Sequence, residues 1–103
     1  MSRPLVVTIS HSLGQEEATR RLKDGFGTAQ TKFANVLTFH EQTWTGNTLN
    51  VHVSALGQHA RGTIEVRQAD VRLELQLPWL LAKVAEQVIP TIQREGRLML
   101  DKT

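Results

Sequence analysis

From Leu49 to Leu77 the chain alternates apolar and polar residues through three successive runs. Leu49, Val51, Val53 and Ala55 interleave with Asn50, His52 and Ser54. Ala60, Gly62, Ile64 and Val66 interleave with Arg61, Thr63 and Glu65, and Val71, Leu73, Leu75 and Leu77 with Arg72, Glu74 and Gln76. Successive strand side chains point to opposite faces, so a period of two predicts antiparallel strands with one dry and one wet face. A one-residue slip would expose every apolar side chain, so the pattern also predicts which face each residue takes. Thr45-Gly46-Asn47, Gly57 and Gln68-Ala69-Asp70 supply the turns. Two further strands are expected: residues 4–10, β-branched and introduced by a proline, and the segment from Asn35, in which Leu37 and Phe39 share a face.

Elsewhere the period changes to that of a helix. Ala18, Leu22, Phe26, Ala29 and Phe33 recur at spacings of three and four. Ser12 is placed to cap this helix and Gln15 to complete a capping box, with Glu16 and Glu17 at the positive end of the helix dipole. Gly25 and Gly27 predict either close packing or a break. A second helix is expected to begin at Pro78, whose missing N–H is not needed at a first helical position. Leu81, Val84, Ala85, Val88 and Ile92 form its stripe, and Gly96 is the expected stop, followed by a short strand over Arg97–Leu100. Pro90 falls on the outward side, where it should bend the helix without ending it, leaving Thr91 to Gln93 helical. The order β-α-β-β-β-β-α-(β) predicts a single α+β domain over residues 1–103. It would hold one antiparallel sheet of five to six strands, with two helices packed on one face in a helix-grip-like arrangement.

Composition narrows the function classes. A chain of 103 residues suits one core, and without cysteine it has no disulfide or thiolate chemistry. Twelve basic residues face ten acidic ones, and Arg20-Arg21 is the only adjacent basic pair, so no nucleic-acid footprint is expected. The start MSRPLVV lacks the features of a signal peptide, and the longest apolar run is far too short to span a bilayer. A cytoplasmic protein without a transmembrane segment is expected.

Several stretches carry a resemblance: HSLGQEEATRRL, TWTGNTLNVHVSALGQ, RGTIEV with VRLELQLPWLLA, and REGRLML. In order, and over nearly the whole chain, they resemble the polyhydroxyalkanoic acid system proteins, also called the polyhydroxyalkanoate granule region family. The resemblance implies a bacterial cytoplasmic protein encoded beside genes for storage-polyester synthesis and granule-surface proteins. The family brings no established catalytic residues. Pro90, where a helix former is expected, departs from the pattern.

The residues themselves add little chemistry. His11, His40, His52 and His59 are the only metal-binding nitrogens, without H-x-H or H-E-x-x-H spacing. A hairpin through Thr45-Gly46-Asn47 would bring His40 opposite His52, two ligands at best, so no metal site is expected. Ser10-His11-Ser12 lacks a nucleophile elbow. Glu65 and Glu74 stand among arginines, which predicts cross-strand ion pairs. The glycines of LKDGFG form no phosphate-binding loop, and no cofactor is expected.

Trp79 lies almost opposite the apolar stripe of its helix, in line with Lys83, Glu86 and Pro90. With Trp44 these residues form the candidate interaction surface: Trp79, Lys83, Glu86 and Trp44. The expected function is a non-enzymatic accessory protein of polyester storage that binds granule-associated proteins or the granule surface. One alternative is a small-molecule carrier holding an acyl ligand between sheet and last helix, signalled by an enlarged apolar cavity at Leu75, Leu77 and Val84. The other is an enzyme on acyl substrates, signalled by a histidine–carboxylate pair in a cavity.

Overall fold

A computed structural model describes residues 2–100, with the backbone alone for Ser2, Arg3 and Trp79. The three alternating runs form β3 (Thr48–Ala55), β4 (Gln58–Val66) and β5 (Asp70–Pro78). β1 (Ser2–Ser10) pairs with β5 along its whole length, and β2 (Thr38–Thr45) with β3. The result is one five-stranded antiparallel sheet in the order β1-β5-β4-β3-β2. β1 starts two residues earlier than predicted, since Ser2 and Arg3 still pair with Pro78 and Leu77. In β2 the register shifts between Phe39 and Glu41, which leaves His40 as the extra residue of a β-bulge.

The predicted faces hold. Leu73 is 9% exposed, whereas the neighbouring Arg72 side chain is 35% exposed. Leu49, Val51, Val53, Val66 and Val71 are buried with Leu73, while Ile64 and Leu75 are half-buried. Glu65 and Glu74 do not face each other. Glu65 is opposite Arg72 and Glu74 opposite Thr63, and Arg72 reaches along its own strand to Glu74 at 3.0 Å.

α1 (Gln15–Phe33) buries Ala18, Leu22, Ala29 and Phe33 as the stripe predicts. Phe26 is half-buried and meets Phe39 edge to face at 5.8 Å. The helix passes unbroken through both glycines; at Gly25 a Cβ would lie 3.0 Å from the Met99 side chain, so this site is one of close packing. Its start differs from the expected capping box. Gly14, with φ of 81°, occupies the N-cap position, and the Gln15 N–H donates to Gln68 Oε1 at 3.2 Å. The Gln15 side chain donates to the Val66 carbonyl at 2.9 Å instead of folding back on its own helix. The cap thus comes from the β4–β5 connection and not from Ser12, which lies two residues before the N-cap position.

α2 also departs from expectation at both ends. Pro78 is the last residue of β5, held there by pairing with Ser2. A single 3-10 turn, Trp79–Leu81, leads into α2 (Ala82–Leu100). The helix continues through Pro90, with Thr91 to Gln93 helical as predicted. It also continues through Gly96, so the final strand does not form. A Cβ at Gly96 would run into Ile9 Cδ1 of β1. This glycine permits close approach of helix and sheet, which takes precedence over its helix-stopping tendency. The continuation carries Leu100 into the main core beside Val7, Ile9, Ala18, Leu22, Val66, Val71 and Leu73. A second cluster joins the helices through Ala29, Phe33 and Val88.

Candidate functional site

Between the sheet and the two helices the apolar side chains do not close completely. A cavity of about 130 Å³ lies among Leu22, Phe26 and Phe33 of α1, Val51, Ile64 and Leu73 of the sheet, and Ile92 and Met99 of α2. A smaller space of about 40 Å³ reaches Leu77, Leu81 and Val84 and shares Leu37, Val53, Leu75 and Ile92 with the larger one. Leu75, Leu77 and Val84 are the positions named from the sequence for an acyl-binding cavity.

The charged residue along this lining is Glu95. It is buried, and Lys32 reaches across from α1 to hold its carboxylate at 2.8 Å. The carboxylate lines the cavity, and its lysine partner is exposed to water.

The opposite, wet face of the sheet gathers three histidines. His40, His52 and His59 come from β2, β3 and β4, with ring centroids 4.9, 5.0 and 5.4 Å apart. His52 Nε2 lies 2.9 Å from His59 Nδ1, and His40 Nε2 lies 2.7 Å from the Ser54 hydroxyl. The β2–β3 hairpin is expected to set His40 opposite His52; the bulge instead puts Glu41 in that register position, and His40 reaches His52 only through its ring. His59 joins because the turn at Leu56-Gly57 sets Ser54 opposite His59, a register that counting outward from that turn would have revealed. The His52 imidazolium is disfavoured, first by loss of surrounding water and then by the positive field of Arg61 and the two other rings, with Glu41 acting against them. As the side chains stand, no three described histidine, aspartate or glutamate residues are arranged around a metal position.

His11 is occupied otherwise. Its Nδ1 accepts the Leu13 N–H at 3.1 Å and its Nε2 lies 3.1 Å from the Arg67 carbonyl, which fits the tautomer protonated on Nε2. It fastens the start of α1 to the β4–β5 turn.

Of the expected interaction surface, Trp44 stands apart from Lys83 and Glu86. Trp44 pairs with Leu49 near the β2–β3 turn, is half-buried against the main core, and carries Lys23 Nζ 5.1 Å from its ring centre. Lys83 and Glu86 are exposed on the first turns of α2, at the other end of the sheet. The Trp79 side chain lies outside what is described. That same end of the sheet displays exposed aliphatic residues outside the expected interaction surface: Val36 before β2, Leu56 in the β3–β4 turn and Leu80 after β5, the last of which is expected beside the buried stripe of the last helix. Leu56 is 80% exposed and adopts φ of 53°.

Two helices lying over one face of an open antiparallel sheet, with an apolar cavity between the layers, define a small α+β protein. A family model described as "Putative polyhydroxyalkanoic acid system protein" matches residues 5–100, and the chain belongs to this family. No curated protein and no solved structure matches the chain at a significant level. Among the described residues no helix is long and apolar enough to cross a membrane.

Proposed function

We propose that this chain is a non-enzymatic accessory protein of the polyhydroxyalkanoate storage system that holds a short apolar group in the cavity between sheet and helices. The cavity itself carries this reading. Its volume of about 130 Å³ and aliphatic–aromatic lining are close to those of an apolar cavity of about 150 Å³ that stays dry and binds benzene. A group of about six non-hydrogen atoms matches that space, which suits a short acyl chain. The family's setting supplies a source of such groups, since storage polyesters are built from short hydroxyacyl units.

Methyl-resolved NMR during titration with methyl butyrate tests this directly. Saturable shifts at Val51, Ile64 and Ile92 are expected, and Ala29→Leu should abolish them by filling the cavity from α1 while leaving the protein folded. Shifts confined to surface methyls, or undiminished in Ala29→Leu, would reject the reading.

A second mode of binding, to the granule surface or to a granule-associated protein of the cytoplasm, is favoured by Val36, Leu56 and Leu80 at one sheet end. Trp79, Lys83 and Glu86 belong to the same end, whereas Trp44 does not. Co-sedimentation with purified polyester granules tests it. Replacement of Leu56 and Leu80 by serine should reduce the bound fraction if that end makes the contact.

A further inference from the structure

We propose that His40, His52 and His59 form a binding site for a divalent transition-metal ion, with zinc as the first expectation, on the wet face of the sheet. Three adjacent strands carry the three residues: His52 and His59 stand in the paired register of β3 and β4, and His40 at the bulge of β2. The β-bulge supplies the third member by placing His40 as an extra residue beside the His52 position. Imidazole nitrogen suits zinc, copper and nickel, and three histidines with one open position make a known zinc coordination set.

The dimensions agree. Three imidazoles bound to one tetrahedral zinc at about 2.0–2.1 Å would have ring centroids roughly 5 Å apart. The observed separations are 4.9, 5.0 and 5.4 Å. Two nitrogens sharing such an ion stand roughly 3 Å from each other, and His52 Nε2 and His59 Nδ1 are 2.9 Å apart. As the side chains stand, those two nitrogens are within hydrogen-bonding distance and His40 Nε2 lies against the Ser54 hydroxyl, so the His40 ring must turn to complete the site. Metal binding sends the proton between them to the other nitrogen of its ring, or to water, and takes the His40 ring away from Ser54. His40 and His59 are exposed, and exposed rotamers exchange in picoseconds to nanoseconds. Glu41, paired across the strands with His52, places a negative charge near the site, and Arg61, on the other side of His52, opposes it. Both are exposed and screened by water and salt.

The test uses the full chain without an affinity tag, stripped by chelator and titrated calorimetrically with zinc chloride, with histidine ring NMR as a second readout. One equivalent of zinc should bind with a dissociation constant in the micromolar range or below. The ring signals of His40, His52 and His59 should move while those of His11 stay in place. His52→Ala and His59→Ala should each weaken binding by at least about tenfold, since even outer hydrogen-bonding partners of metal ligands are worth that much. Binding weaker than millimolar, ring shifts that include His11 equally, or affinity indifferent to both substitutions would overturn the proposal.

Discussion

Lys32 of α1 and Glu95 of α2 form an ion pair at 2.8 Å in which the carboxylate side chain is 9% exposed and the lysine 46% exposed. The two partners therefore differ in what their loss leaves behind. Lys32→Met strands a buried charge, and the half-open setting places its cost at about 1–2 kcal/mol, between surface and buried pairs. Glu95→Met leaves a lysine that simply turns to water and adds apolar surface to the lining, so it should be near neutral. Urea unfolding of both variants checks this; equal losses would show that the pair acts only through mutual attraction.

Two glycines should respond in opposite directions to alanine. Gly27 is exposed on α1 with nothing within 4 Å of a Cβ, so Gly27→Ala should stabilise by about 1 kcal/mol. At Gly62 a Cβ would strike the Leu75 side chain and lie 2.8 Å from the Glu74 carbonyl oxygen. Gly62→Ala should cost about 1–3 kcal/mol, the usual range for overpacking. Thermal midpoints of the two variants decide it.

Glu17 sets an acid dependence. Hydrogen bonds first from Arg20 and then from Arg21 lower its carboxyl to about 2. A carboxyl held lower in the folded state contributes stability that is present above its ordinary value near 4.5 and fades as pH falls toward 2. Glu17→Gln should therefore be less stable than the parent at neutral pH and converge with it near pH 2. A stability difference that stays constant across this window would contradict the assignment.

Leu56 combines an exposed apolar side chain with a left-handed backbone conformation. Asparagine tolerates that conformation better, so Leu56→Asn should raise stability by about 0.5–1 kcal/mol. If the same change lowers recovery with polyester granules, leucine at this turn serves contact and not folding. Measuring both quantities on one variant separates the two.

Sheet, faces and helix stripes were legible in the sequence because alternation and three–four spacing are local signals. What escaped depends on partners far along the chain. Gly96 reads as a stop until Ile9 is seen against it. Pro78 reads as a helix start until Ser2 is found paired with it. His59 looks isolated until the Leu56-Gly57 turn fixes its register, and Lys32 and Glu95 are 63 positions apart, with β2 to β5 and most of α2 between them. The cavity was named through Leu75, Leu77 and Val84, but its larger part lies toward Phe26, Val51 and Met99. How far a helix stands from a sheet is set by many side chains at once, and no short motif records it.

The cap on α1 has a consequence in time. Gln68, which accepts the first helical N–H, follows Gln15 by 53 positions. While the ribosome is still making the intervening strands, the leading turn of α1 has no side-chain cap from its own N-cap residue. It can fray until the β4–β5 turn has been synthesised and folded against it. Completion of this helix end therefore reports that the distal hairpin has arrived, and a chain stalled before residue 68 would keep its first helix unfinished.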